Sequence, residues 1–358
     1  MPDPMLRLLS LGAGVQSTVL ALMAADGTLP DLDGAIFADT GWEPRKVYAQ
    51  VDRAAVVLAD AGIPLYRVAK GNLRADSIDP GHRFASVPYF VLNPPREVRV
   101  PAEIGPCPCR AAPAGWRPAD GEDVPLPGFT APPVAADPGC GTCQGSGEVT
   151  TRWAHRPATR AEREGMGRRQ CTSEYKLAPI NRKVRELLGA AAPDYRRVPK
   201  GRVAEQWIGF STDEIIRVSD NNGVSYVRKR YPLLELDMSR RDCRAWLDAR
   251  GWGDTAKSAC IGCPYHGNAQ WRELRDNSPE EFADAVAFDV SIRRGGARGL
   301  PLNGEAYLHR SRVPLSIAPI GKVTRREAAE GVLTFDDLAE LGDPDGCSPY
   351  GCRSGESA

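Results

Sequence analysis

The sequence predicts an α/β protein built on a parallel sheet, and three segments near its start predict it. Residues 6–11 are a short apolar run that ends in Gly12-Ala13-Gly14, after which residues 15–25 carry a helical pattern with Ser17 and Thr18 in the first turn. Residues 34–38 repeat the arrangement: the run ends in Asp39-Thr40-Gly41-Trp42, and residues 45–61 follow with apolar side chains at helical spacing. Residues 64–68 form a third candidate strand. Strands alternating with helices argue for a parallel sheet with ligand sites at the carboxyl ends of the strands.

The rest of the chain changes character several times. Thirteen of the 31 prolines fall between residues 88 and 139, among glycines and few periodic apolar positions, so this stretch is expected to be an insertion without sheet. Residues 160–188 turn basic and helical, and residues 203–210 read as a further strand. Residues 239–250 and 279–293 read as amphipathic helices, and the chain after residue 342 as a short glycine-rich tail. The expected segments are 1–87 and 161–275 for two parts of one α/β domain, 88–160 for the insertion, and 276–358 for a helical region and tail.

Composition narrows the function classes. The chain has 358 residues, 42% hydrophobic, with 46 basic residues against 46 acidic ones, which excludes disorder as the main state and gives no global attraction to nucleic acid or membrane. No run approaches the ~18 apolar residues of a membrane span. The start, Met1-Pro-Asp-Pro-Met-Leu-Arg, lacks the pattern of a signal peptide, so a cytoplasmic location and no membrane partner are expected. That compartment keeps thiols reduced, and the ten cysteines therefore point to metal ligation or catalysis rather than disulfides.

The glycine turn has its own chemistry. A strand, Ser10-Leu11-Gly12-Ala13-Gly14-Val15-Gln16-Ser17-Thr18 and a helix place free N–H groups and hydroxyls at a helix N-terminus, where the dipole favours an anion. No Gly-Lys-Ser/Thr closes it as in a Walker A loop, and the dinucleotide spacing is absent. The alternative is a purely structural turn.

This stretch resembles the PP-loop of the ATP pyrophosphatases and the phosphoadenosine phosphosulfate (PAPS) reductase-like proteins, whose pattern is Ser-x-Ser-Gly-Gly-Lys-Asp-Ser-Thr. Further segments match that superfamily in order: Ala38-Asp39-Thr40-Gly41-Trp42-Glu43-Pro44, Cys171-Thr172-x-x-Tyr175-Lys176-x-x-Pro179-Ile180, Gly209-Phe210-x-x-Asp213-Glu214-x-x-Arg217 and Ser258-Ala259-Cys260-Ile261-Gly262-Cys263-Pro264-Tyr265. The resemblance implies an α/β fold with a Rossmann-like parallel sheet, helices on both faces, that binds ATP or a related adenine nucleotide. Ser10, Gly12, Gly14, Gln16, Ser17 and Thr18 would hold its phosphates, and Asp39 and Thr40 would lie near the adenosine or the reacting group. Asp39 as an N-cap of the next helix is the structural alternative. Val15-Gln16 replaces the pattern's Lys-Asp, which removes a cation and a carboxylate that helps hold Mg²⁺. Lys176 and Arg217 are the candidates to supply the missing charge, with Lys70 a third.

The cysteines fall into sets. Cys260 and Cys263 at CxxC spacing suit one metal or one cluster, and Cys171 lies where reductases of the superfamily carry a tandem pair whose second member is Thr172 here. The resemblance implies a [4Fe-4S] cluster on Cys171, Cys260 and Cys263, with one iron lacking a thiolate from these positions. Zinc at the CxxC pair and a buried thiol at Cys171 are the alternatives. Cys107, Cys109, Cys140 and Cys143 form CxC and CxxC pairs that bracket the insertion and suit tetrahedral zinc, with a second cluster or no metal as the alternatives. Cys243 sits at a packing position of a helix, while Cys347 and Cys352 on the tail match only loosely the tail cysteine with which reductases attack sulfur. His266 and His309 are candidates to support a metal site or move a proton.

The reading that follows is an ATP-dependent, adenylating iron-sulfur sulfurtransferase acting on tRNA, DNA or a small molecule, with a sulfur donor protein or thiol reductant as partner. Asp39, Lys176, Arg217, Cys347 and Cys352 are its candidate catalytic residues. The alternatives are a PAPS or adenylylsulfate reductase and a nucleotide-binding module without catalysis.

Overall fold

The computed structural model describes residues 5–82, 87–106, 140, 142, 144, 146, 148–167, 169–218, 224–295 and 302–323. These form two compact units, Met1–Asn93 with Glu164–Ala358, and Pro94–Arg163.

The first unit starts as the periodicity requires: β1 (Leu6–Ser10), α1 (Val15–Ala25), β2 (Gly34–Asp39), α2 (Arg45–Asp60), β3 (Leu65–Ala69) and the short α3 (Leu73–Ile78). The chain continues through β4 (Phe90–Leu92), leaves the unit for β5 (Glu97–Pro106), β6 (Glu148–Pro157) and α4 (Arg160–Arg163), and returns with β7 (Glu164–Met166). A π-helical turn (Thr172–Leu177) leads into α5 (Ala178–Leu187), then β8 (Ala204–Trp207), a 3-10 turn (Thr212–Arg217), β9 (Val227–Arg230), α6 (Pro232–Glu235) and α7 (Arg240–Asp248). Last come α8 (Asn268–Asn277), α9 (Pro279–Ser291) and β10 (Glu305–Tyr307).

Five strands form one parallel sheet in the order β3-β2-β1-β8-β9. Alternation along each strand divides its two faces. Leu9 and Ala35 point into a core with α1, α2 and α7, whereas Leu8, Ile36, Ala38 and Ala204 point to the other side against Ile180 and Val184 of α5. This is the mixed α/β, Rossmann-like arrangement the sequence predicts. Its chain order reverses between β1 and β8, and such a switch point opens a crevice at the carboxyl ends of the strands.

A further core stands at that end, where Trp42 just beyond β2 packs with Tyr175, Cys260, Trp271 and Phe288. Trp42 meets the Phe288 ring at 4.5 Å and donates its indole N–H to Asp284 Oδ2 at 2.7 Å. His309, only 2% exposed, belongs to the same region. Its Nε2 faces Asn268 Oδ1 at 3.0 Å and its Nδ1 faces Ser311 Oγ at 2.7 Å, an arrangement for a neutral ring. Burial first, and the nearby Arg310 second, lower its pKa from 6.5 to about 4. The unfolded chain therefore takes up a proton that the native ring refuses, so this stability is complete above pH 6.5 and is lost as pH falls toward 4. The loss expected is about 3 kcal/mol. Urea midpoints between pH 7 and 4.5 should fall more steeply for the wild type than for His309→Gln, and equal slopes would remove this assignment.

Three expectations need correction. Residues 88–139 are not free of sheet, because β4 pairs antiparallel with β7 and β10, and β5 pairs with β6. Pro101 and Pro106 are tolerated in β5 because a two-stranded ribbon leaves each strand a free edge, and the register breaks at Pro101 and Glu103. The basic stretch 160–188 is not one helix: Glu164–Met166 turns into a strand once β4 offers a partner. The strand expected over 203–210 shortens to Ala204–Trp207. Among the described residues, no helix is long and apolar enough to cross a membrane.

Candidate functional site

The glycine turn between β1 and α1 lies at the switch point. Ala13 holds a φ of +56° and is 1% exposed, so the turn is fixed in a left-handed conformation that costs a residue with a Cβ roughly 1 kcal/mol. Gln50 of α2 holds it there, donating from Nε2 to Ala13 O at 2.8 Å and to Thr18 Oγ1 at 3.0 Å. Thr18 is fully buried and Ser10 accepts from Gln206 Nε2 at 2.7 Å, so both hydroxyls brace the turn from beneath. Ser17 Oγ accepts from Gly14 N–H at 3.2 Å. Gly12 and Gly14 remain partly open beside the first-turn N–H groups of α1, which have no acceptor within a helix.

Gln16 is buried and donates to Glu214 Oε2 at 3.0 Å. Glu214 in turn forms an ion pair with Arg217. The approach is possible because residue 209 is glycine: a β-carbon there would come within 2.9 Å of Ser17 N and 3.1 Å of the Gln16 carbonyl carbon. Arg217 thus connects to the turn through Glu214, whose carboxylate balances its charge.

At the end of β2, Asp39 Oδ1 accepts from Gly41 N–H at 2.7 Å and from the Tyr48 hydroxyl at 2.8 Å. It fixes this turn and does not cap α2, whose N-cap is Pro44. Burial, then the Asp39 hydrogen bond, raise the Tyr48 pKa, so Tyr48 stays a hydrogen-bond donor. Among the described residues, Asp39 Oδ2 has no hydrogen-bond partner.

Thr40 and Glu43 connect this turn to the CxxC segment. Glu43 Oε1 accepts from Thr40 Oγ1 at 3.0 Å, lies 3.4 Å from Cys260 Sγ and 3.7 Å from Lys176 Nζ, while Thr40 Oγ1 is 3.3 Å from the same sulfur. The second oxygen of Glu43 is buried without a hydrogen bond. Lys176 comes from the π-helical turn, a wider coil often found at functional sites. Cys263 N–H donates to Cys260 O at 3.0 Å, and His266 Nε2 lies 3.0 Å from the same carbonyl. Gly262 is obligatory, since a β-carbon would fall 2.0 Å from the Trp42 ring.

The same segment reaches the glycine turn: Ala256 N–H donates to Gln50 Oε1 at 2.8 Å, and a β-carbon on Gly14 would lie 3.6 Å from Ser258 Cβ. Cys171 packs against the apolar cluster that contains Cys260. Thiols such as those of Cys171, Cys260 and Cys263 are soft donors, which suit iron-sulfur chemistry or zinc better than magnesium or calcium. Among the described residues, however, no three His, Cys, Asp or Glu side chains gather as a metal-ligand group.

Compared with known proteins, the chain matches no family model, no curated protein and no solved structure.

The remaining cysteines divide cleanly. Cys243 of α7 is a fully buried thiol whose pKa burial pushes up to about 12, which fits packing. Cys140 opens a turn closed by Gln144 N–H at 2.8 Å from Cys140 O, while Cys107, Cys109, Cys143, Cys347 and Cys352 lie outside the described residues. Glu43 and Gln50 carry the site's architecture without having been singled out from the sequence. Gln50 had a signal, because it sits on the buried stripe of α2 with Val47, Val51 and Ala54, where a polar residue calls for a buried partner.

Proposed function

We propose that this protein binds an adenine nucleotide at the glycine turn and uses it, as PP-loop enzymes do, to adenylate an acceptor that then receives sulfur. The observation that carries the reading is Gln50, which ties the phosphate-type turn through Ala13 to the thiol segment through Ala256, so that both chemistries share one edge of the sheet. The N–H groups of α1 would hold phosphate. Attack of the acceptor oxygen on the α-phosphorus expels pyrophosphate, and the resulting AMP is a good leaving group for a sulfur nucleophile. Asp39 Oδ2 would accept a hydrogen bond from ligand near the carboxyl end of β2. Cys171, Cys260 and Cys263 would hold a [4Fe-4S] cluster, which supplies an iron open to a further sulfur ligand. The pairing of Pro106 with Glu148 brings together the two strand ends from which the Cys-bearing insertion departs, in keeping with zinc on Cys107, Cys109, Cys140 and Cys143.

One observation favours the reductase reading. Gln16 is locked to Glu214, and neither Arg217 nor Lys176 offers an unbalanced charge to the turn, so the site is better equipped to hold phosphates than to cleave them. Anaerobically reconstituted protein tests both readings. ATP should yield AMP and pyrophosphate only when an acceptor is present, and Cys260→Ala should bleach the iron absorption while Cys243→Ala leaves it. Sulfite released from PAPS or adenylylsulfate with a thiol reductant would replace the transferase reading by the reductase one.

A further inference from the structure

We infer that the groove between β3 and α5 binds a single-stranded polynucleotide and leads it to the candidate site, an inference that rests on the reading of a nucleic-acid acceptor.

The groove has a volume of 840 Å³ and is lined by Arg67 and Lys70 of the β3 side and by Arg182, Lys183 and Arg185 of α5, with Glu186 the only lining carboxylate among the described residues. Arg67 pairs with Asp52, Lys70 with Glu174 and Lys183 with Glu186. Arg182 and Arg185 have no carboxylate partner among the described residues: Arg182 donates to Pro193 O at 3.3 Å, and Arg185 donates to Tyr195 O and to the Tyr226 hydroxyl. Basic charge therefore exceeds acidic charge here although the chain as a whole is neutral.

Two tyrosines interleave the cations, as stacking sites interleave phosphate contacts on single-strand platforms. Tyr66 lies under Lys183 Nζ at 4.6 Å, and Tyr195 under Arg182 Cζ at 5.4 Å. Tyr195 holds a left-handed φ of +48°, an arrangement a non-glycine residue adopts at a cost and that concentrates at ligand sites. The groove also points somewhere useful. It follows β3, about 16 Å long, to Ala69, which pairs with Asp39, and its α5 side begins two residues after Lys176. A strand laid along it would end beside Asp39 and Lys176.

The test is fluorescence anisotropy of the full chain with a labelled 12-nucleotide RNA, DNA of the same sequence, its duplex, and unlabelled AMP and polyglutamate as competitors. Single strands should bind more tightly than the duplex, with a salt slope of about −2 for three phosphate contacts. The tighter of the RNA and DNA identifies the source of the strand. Arg182→Ala should flatten the slope by about 0.7. Tyr195→Ala should weaken binding roughly tenfold, while Tyr195→Phe keeps it. Unchanged affinity and slope in Arg182→Ala, full displacement by AMP or polyglutamate, or no binding of either strand would overturn the groove assignment. Isothermal titration with ATP separates this result from the nucleotide reading: groove variants should keep ATP, and Gly14→Asp should lose ATP while keeping the oligonucleotide.

Discussion

Replacing Glu43 by alanine should lower the unfolding free energy by about 3–5 kcal/mol, the range for removing one partner of a buried ion pair. The two side chains are 1% and 7% exposed, so neither charge is served by bulk water. After the substitution Lys176 keeps a buried positive charge that this carboxylate no longer balances, and Thr40 Oγ1 and Cys260 Sγ lose a common neighbour. Glu43→Gln retains an oxygen for Thr40 while removing the charge, and its loss should be intermediate. Chemical denaturation of the three proteins measures this directly. If Glu43→Ala costs less than about 1 kcal/mol, the pair behaves like an exposed one and the buried-site description fails.

Gly14→Asp should weaken adenine-nucleotide binding by at least about a hundredfold, because a carboxylate facing a polyphosphate costs several kcal/mol. The position can take a side chain. Its backbone is extended, at φ −98° and ψ 177°, and among the described residues a β-carbon there meets Ser258 at ordinary contact distance. Gly14→Ala should consequently fold and bind nearly as the wild type does, which assigns the loss in Gly14→Asp to charge. Titration calorimetry with ATP on both variants gives the comparison. Equal affinity in the aspartate variant would move the phosphate site away from this turn.

Local pattern was enough for the elements that build the sheet's first half. The apolar runs before Gly12 and before Asp39, each followed by helical spacing, mark β1, α1, β2 and α2 because a strand and a helix each carry their period within a few residues. The same reasoning placed Cys243 on the packed face of α7. It failed at β4, β5 and β7, since proline and short length hide a strand whose only justification is a partner elsewhere in the chain.

For the candidate site, the sequence by itself determined the glycine turn after the first strand and the thiol spacing at Cys260 and Cys263. Only the tertiary structure decided how these are connected. Gln16 meets Glu214 across 198 positions, Gln50 meets Ala256 across 206, and Cys260 meets Glu43 across 217. It also engaged Ser10 with Gln206 and Thr18 with Gln50, because burial commits a hydroxyl to whichever neighbour can satisfy it. Such pairings follow from the strand order, which sets parts of the chain about two hundred residues apart at one edge of the sheet, and no local period records which polar side chains will meet there.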